Sequence, residues 1–127
     1  MSVDIVIEVD NKPGVLASIA AAISDAGVNL AAATCIGNGD MAELHILVPH
    51  AEPVRHALAI THADVKIARE HEVVVVPFDD RPGVLADLAR KIAEAHVNVD
   101  TIYVATNNRV VFHSEDIEGL RKALGRN

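Results

Sequence analysis

Aromatic residues are almost absent from this chain of 127 residues. Two phenylalanines and one tyrosine are the whole set, and there is no tryptophan. Proteins that bind single-stranded nucleic acids stack the bases on aromatic rings, so the chain lacks a stacking platform for bases. Half of its residues are nevertheless hydrophobic, mainly Ala, Val, Ile and Leu. This composition predicts a closely packed aliphatic core.

Positive charge is also scarce. Eleven Lys and Arg residues are outnumbered by eighteen Asp and Glu residues, which gives a formal net charge of −7. An average field of this sign repels phosphate backbones and anionic lipid surfaces, so we expect neither nucleic acid nor a membrane as a partner. The apolar runs are too short to span a bilayer, and the N-terminus lacks the basic start and long apolar stretch of a secretion signal.

Cysteine occurs once, at position 35, so an intramolecular disulfide is impossible. This fits a reducing, cytoplasmic location. We expect Cys35 to pack as a small apolar side chain on the second strand. The seven histidines form no zinc-ligand spacing with the cysteine or on one helical face, so we expect no metal site and no cofactor.

One short stretch of sequence is present twice. Residues 11–17 are NKPGVLA and residues 80–86 are DRPGVLA, so that Gly14 corresponds to Gly83 at an offset of 69 residues. The same offset relates DAGVNL at 25–30 to EAHVNV at 94–99. The repeat therefore covers a loop, a helix and the start of a strand. Two copies of one unit form a pseudo-twofold object, and such objects tend to place ligands where the copies meet.

The first copy is predicted to have the element order β-α-β-β-α-β. Its first helix follows a β-branched strand and has apolar residues at three- and four-residue spacing. We expect Asn11 to cap this helix, Pro13 to lie in its first turn and Gly27 to end it. The remaining elements are strands at 29–36 and 42–48 joined by a tight turn at 37–40, a helix at 53–60 and a strand at 65–68.

The second copy repeats this order but ends too early for its last strand. We therefore expect an α+β fold of two ferredoxin-like units with antiparallel sheets, residues 1–69 and a C-terminally truncated unit at 70–127. The edge at Val73–Val76 would then be bare, and we expect a partner chain or a loop to cover it. His96 stands where the first copy has Gly27, so it is expected to adopt the same left-handed conformation.

A strand, the sequence Asn/Asp-Lys/Arg-Pro-Gly-Val-Leu-Ala, a helix, and Val-Asn leading into a strand together resemble the ACT domain. This is the small regulatory module of enzymes and regulators of amino-acid metabolism. The resemblance covers essentially the whole chain in two copies, as in stand-alone tandem ACT proteins. It implies a non-catalytic, cytoplasmic amino-acid-binding regulator or sensor, acting as a homodimer or on a regulated metabolic enzyme. An oligomerisation scaffold without a ligand is the alternative.

In the family, the amino acid commonly lies at the interface between paired ACT domains, held by the first strand-to-helix loop and the start of the second strand. The ligand-binding residues that the resemblance implies are Asn11, Lys12, Pro13, Gly14, Val15, Leu16 and Asn29 in the first copy, and Asp80, Arg81, Gly83, Val84, Leu85 and Asn98 in the second. Serine-responsive members have asparagines at the positions of Asn11 and Asn29. Helix capping by Asn11 and Asp80, and local hydrogen bonding by Asn29 and Asn98, are the structural alternatives.

An amino acid zwitterion needs hydrogen-bond donors for its carboxylate and acceptors for its ammonium group. Backbone N–H groups at a helix N-terminus, here near Gly14 and Val15, suit the carboxylate. The amides of Asn11 and Asn29 can both donate and accept. Because the carboxylate of Asp80 would compete for the same N–H groups, we expect the Asn11 site to bind more tightly than the Asp80 site. No nucleophile and base motif is present, so we do not expect an enzyme.

Overall fold

The computed structural model describes residues 2–61 and 65–126. The chain divides into two compact units, residues 1–71 and 72–127. Both units combine helices with an antiparallel sheet, and the predicted α+β fold class is confirmed. Within the described residues, no helix is long and apolar enough to cross a membrane.

The first unit has the predicted order of elements. They are β1 (Val3–Asp10), α1 (Val15–Asp25), β2 (Ala32–Asn38), β3 (Met41–Val48), α2 (Glu52–Thr61) and β4 (Lys66–Glu72). The sheet has the strand order β2-β3-β1-β4, and β3 runs antiparallel to both β1 and β2. This is the ferredoxin-like arrangement, in which β1 and β3 are central and β2 and β4 lie at the edges.

The core of the first unit lies between the sheet and its helices. Alternation along β1 directs Ile5 and Ile7 to the same face, where they pack with Ile23 of α1 and Leu58 of α2. All four side chains are almost fully buried. Complete burial of a side chain of this size stabilises a fold by about 1.5–3 kcal/mol, so this face holds the helices against the sheet.

A two-residue turn joins β2 and β3. Asn38 pairs with Met41, and Gly39 between them has a φ of 70°. The tight turn predicted at residues 37–40 is therefore confirmed. Glycine is favoured at this position because the turn requires a positive φ. Strand β2 begins at Ala32, three residues later than predicted, so Asn29 lies before the strand and not at its first position.

The second unit consists of β5 (Val74–Pro77), α3 (Val84–Glu94), β6 (Thr101–Ala105), β7 (Arg109–His113) and α4 (Ile117–Ala123). Its sheet has three strands in the order β5-β7-β6, so the predicted loss of the last strand is confirmed and β5 lies at an edge. Asn98 precedes β6, as Asn29 precedes β2. Phe112, Ile92 and Leu120 are the largest side chains of its core.

The predicted left-handed residues after α1 and α3 are confirmed, whereas the predicted burial of Cys35 on β2 is wrong. Gly27 and His96 both follow a helix with positive φ, 75° and 58°, so the second unit makes the same left-handed stop with a side chain present. Cys35 was expected to be packed, but it is exposed. Since β2 is an edge strand, only one neighbouring strand packs beside its side chains. The alternation of polar and apolar residues does not show whether a strand lies at the edge or in the centre of a sheet.

Candidate functional site

The first loop, residues 11–14, joins β1 to α1. Gly14 directly precedes the helix with φ 89° and ψ −17°, and no side chain caps the helix. The predictions that Asn11 caps α1 and that Pro13 lies in its first turn are therefore wrong. Because glycine supplies a left-handed residue immediately before the helix, the chain turns there and the preceding residues stay outside the helix.

Asn11 instead fastens the first loop to the β2–β3 turn. Its backbone N–H donates to the carbonyl of Asp40 over 2.8 Å, and its side-chain Nδ2 donates to the carbonyl of Gly39 over 2.9 Å. A Cβ at Gly37 would lie 2.7 Å from that Nδ2, so glycine at position 37 leaves room for the amide. Asn11 thus holds the loop in place, a role that the local sequence does not reveal.

The second loop, residues 80–83, also ends in a left-handed glycine, since Gly83 has a φ of 93° and precedes α3 without a side-chain cap. The prediction that Asp80 caps its helix is therefore wrong as well. In this unit the backbone bond to the hairpin turn is donated by Phe78, whose N–H lies 2.7 Å from the carbonyl of Asn108. Phe78 stands two residues before Asp80, so Asp80 does not occupy the anchored position that Asn11 has in the first unit.

A cavity of about 420 Å³ opens beside the first loop. This volume lies within the range of small-molecule sites. Four of the predicted residues line it, namely Lys12, Pro13, Gly14 and Val15, together with Glu8, Val9, Asp10, Ser18, Ile19, Met41 and Val65. Asn11, Leu16 and Asn29 are not among the lining residues. The structure therefore gathers the glycine end of the predicted site and leaves both asparagines outside.

Charges of both signs line this cavity. The first N–H groups of α1 have no acceptor within the helix, and they carry the positive end of the helix dipole. Lys12 adds a positive charge, with its Nζ 3.6 Å from Oδ2 of Asp10. Asp10 and Glu8 supply exposed carboxylates. A Cβ on Gly14 would meet nothing within 4 Å, so the loop backbone is open to a ligand.

The second unit has a cavity of a different kind. It measures about 360 Å³ and is lined only by apolar residues: Leu85, Ala89, Ile92, Ala93, Val97, Val99, Ile102 and Phe112. Of the predicted residues in this unit, Leu85 lines it, whereas Asp80, Arg81, Gly83, Val84 and Asn98 do not. The side chains of this wall offer no partner for the charged groups of an amino acid.

Comparison with protein families decides the identity of the repeated unit. The model of the ACT domain matches residues 3–66 and again residues 73–126. The chain belongs to the ACT domain family. The resemblance inferred from the repeated loop is confirmed, and the two ACT units correspond to the two compact units of the structure.

Solved structures share this tandem ACT fold. Protein BT0572 from Bacteroides thetaiotaomicron is 23% identical with a TM-score of 0.84, and the match covers 97% of this chain and 85% of that one. The regulatory subunits of aspartate kinase from Thermus thermophilus and Thermus flavus are each 18% identical, with TM-scores of 0.73 and 0.64; each match covers 98% of this chain and 90% of the other. At these identities the likeness shows the fold. No curated protein matches the sequence significantly.

The first ACT unit also contains a charge cluster that the sequence reasoning missed. Asp4 is fully buried on β1, and its Oδ2 lies 3.1 Å from Nδ1 of His45 on β3. The other ring nitrogen of His45 lies 2.8 Å from Oε1 of Glu43, which also pairs with Arg69 on β4 over 3.2 Å. The cluster therefore links the three strands β1, β3 and β4.

These contacts shift the pKa values of His45 and Glu43. Its hydrogen bond to Asp4 is the main cause that raises its pKa above the ordinary value, against the opposing effect of burial. The hydrogen bond from His45 is in turn the main cause that lowers the pKa of Glu43. The sequence signal for this cluster is a single aspartate, Asp4, among the Val and Ile residues of β1. Its partner His45 on β3 could not be identified without the register in which β1 and β3 pair.

Proposed function

We propose that this tandem ACT protein is a non-catalytic, amino-acid-binding regulator of amino-acid metabolism that acts in the cytoplasm. The observation that carries the proposal is the cavity beside the first loop, where a helix N-terminus, a lysine and two carboxylates surround an open glycine backbone. A free amino acid carries a carboxylate and an ammonium group on one carbon. This cavity offers partners for both within a volume suited to a small molecule.

The proposed pose places the ligand carboxylate at the start of α1. There the N–H group of Val15 donates to it, and Lys12 approaches from the loop. The ligand ammonium group points towards Glu8 and Asp10, on the strand side of the cavity. The ligand side chain extends away from the loop.

We further propose that the two loops are unequal and that the first loop binds more tightly. The amide of Asn11 holds the first loop to its hairpin by a bond of 2.9 Å, whereas the hairpin bond of the second unit comes from Phe78, two residues before Asp80. A loop that is already ordered loses less entropy when it binds a ligand.

The proposed partner is a metabolic enzyme, regulated by this protein as a separate subunit or through a homodimer. Support comes from the regulatory subunits of aspartate kinase, which share the tandem ACT fold. Differential affinity of the ligand for two arrangements of the ACT units would transmit the signal, because a ligand shifts an equilibrium only by binding one state more tightly.

A scaffold role is the second candidate, and the edge strands favour it. Each sheet has an edge strand with a large, exposed apolar side chain. In the first unit this is Ile36 of β2, which is 64% exposed, and in the second unit it is Val104 of β6, which is 62% exposed. Edges of this kind pair readily with other chains. Sedimentation analysis of the wild type and of Ile36→Lys separates the two roles, since a scaffold loses its assembly in the variant, whereas a ligand sensor without edge pairing keeps its mass.

The direct test is calorimetric titration of the folded chain with each of the twenty amino acids. At least one should bind, and Lys12→Ala should weaken that binding by roughly tenfold, the effect of one charge-assisted hydrogen bond. Arg81→Ala is the matched control, because Arg81 holds the same position in the second loop; its affinity should stay close to that of the wild type. Binding that depends on Arg81 and not on Lys12 would contradict the proposed site.

A further inference from the structure

Three metal-ligating side chains meet in the second ACT unit, outside both loops. One atom each of Asp100, His113 and Glu115 lie within 4.8 Å of one another. Asp100 directly precedes β6, His113 ends β7, and Glu115 lies between β7 and α4. The backbone N–H of Asp100 donates to the carbonyl of His113 over 3.0 Å, so the strand pairing itself holds the aspartate beside the imidazole.

The imidazole of His113 is oriented by a second contact. Its Nδ1 lies 2.8 Å from the backbone carbonyl of Glu72. A carbonyl only accepts hydrogen bonds, so Nδ1 carries the proton and, in the neutral ring, Nε2 carries the lone pair. Nε2 lies 3.9 Å from Oδ2 of Asp100 and 4.0 Å from Oε1 of Glu115. A carbonyl behind one ring nitrogen and ligand oxygens before the other is the usual environment of a metal-binding histidine.

We propose that Asp100, His113 and Glu115 bind a divalent transition-metal ion, with Zn²⁺ as the ion that fits best. One imidazole nitrogen and two carboxylate oxygens suit zinc, whereas Mg²⁺ and Ca²⁺ prefer oxygen ligands throughout. Water fills the remaining coordination position. The charge of the ion balances the charges of the two carboxylates.

The distances allow this with small movements. In a tetrahedral zinc site with bonds near 2.1 Å, ligand atoms lie about 3.4 Å apart, so each carboxylate oxygen approaches Nε2 by roughly 0.6 Å. The side chains of Asp100 and Glu115 are 36% and 89% exposed and can make this approach, while the buried imidazole stays in place. The bound ion would link the segments before β6, at the end of β7 and before α4, and so stabilise a unit that has one strand fewer than the first.

The site was not predicted from the sequence, because Asp100, His113 and Glu115 do not form a His or Cys motif. The spacing from Asp100 to His113 reflects a strand hairpin, in which Thr101 pairs with His113, and not the short helical or loop spacings of zinc motifs. His62, one of the seven histidines, lies outside the described residues.

The proposal is tested with the full chain and zinc alone, by competition with a chromophoric zinc chelator and by thermal unfolding. The wild type should bind one Zn²⁺ per chain and unfold at a higher temperature with zinc than without it. Asp100→Asn and Glu115→Gln should each weaken binding by at least about tenfold, because each removes one ligand charge. Glu94→Gln, an exposed carboxylate of α3 outside the cluster, is the matched control and should bind like the wild type.

Two outcomes would overturn the proposal. One is equal zinc affinity in Asp100→Asn, Glu115→Gln and Glu94→Gln, which would assign the binding to histidines elsewhere. The other is a zinc titration that leaves the His113 ring resonances unchanged, which would mean that His113 is a protonated partner of the two carboxylates and not a ligand. Circular dichroism of each variant shows that it is folded, so a loss of binding reports on the site itself.

Discussion

Alanine at Gly14 and alanine at Gly83 form a matched pair of perturbations within one chain. Both glycines directly precede a helix, with φ of 89° and 93° and ψ of −17° and −16°. A new Cβ meets no atom within 4 Å at either position, so neither variant creates a clash. The two substitutions therefore impose the same backbone strain, and they differ only in the surroundings of the added methyl group.

The expected cost follows from the backbone alone. An L-residue forced into the left-handed region costs about 1–2 kcal/mol, and the two similar conformations predict similar values for both variants. A domain with a stability of about 5–15 kcal/mol tolerates this loss and stays folded. For ligand binding the expectation differs, because Gly14 lines the charged cavity and Gly83 does not line the apolar one. Gly14→Ala should weaken amino-acid binding by at least about tenfold, since its methyl group enters the ligand space.

Urea unfolding followed by circular dichroism measures the first quantity, and calorimetry with the bound amino acid measures the second. Equal losses of stability combined with a binding defect in Gly14→Ala only are the predicted result. If Gly14→Ala unfolds at the same urea concentration as the wild type, the left-handed conformation is not required. If both variants bind the amino acid normally, the first loop is not the site.

Three further predictions follow from single contacts. Gly119→Ala should destabilise the second unit by about 1 kcal/mol although alanine favours helices, because its Cβ would clash with the carboxylate of the cap residue Asp116 and lie 3.0 Å from Cγ2 of Val97; in an Asp116→Ala background the same change should cost less. Asp4 is the main cause that raises the pKa of His45, so the stability that His45 contributes is present below its unfolded pKa and is lost as the pH rises through its folded pKa. His45→Gln should therefore make the urea midpoint of the first unit less dependent on pH from pH 6 upwards, and an unchanged pH dependence refutes this. Cys35 should react fully with a thiol reagent in the native protein, whereas slow reaction would show that β2 is covered.

The hairpin turn and the C-terminal ends of α1 and α3 were predictable because single residues determine them. Gly39 between two strands and Gly27 after a helix occupy backbone conformations with positive φ, and the structure places both there. His96 could be assigned to the same conformation by its position in the repeat. The order of elements in both units also followed from local periodicity.

The errors arose where contacts distant in sequence determine the result. Asn11 has the preferred side chain of a helix cap, but its amide bonds to a hairpin turn that lies 28 residues further along the chain. Cys35 lies on an edge strand, and edge or centre is a property of the sheet order. The pairing of Asp4 with His45 and the meeting of Asp100 with His113 depend on strand register. Local patterns therefore gave the scaffold, while the two charged clusters required the structure.

A backbone ¹H–¹⁵N spectrum, recorded during titration with the amino acid that binds most tightly, shows directly which loop of the protein holds the ligand. We expect the resonances of Gly14, Val15 and Leu16 to shift at the lowest ligand concentrations, while those of Gly83 and Val84 shift later or not at all. A response that begins at Gly83 and Val84, or the absence of any shift at the start of α1 with all twenty amino acids, would contradict this expectation.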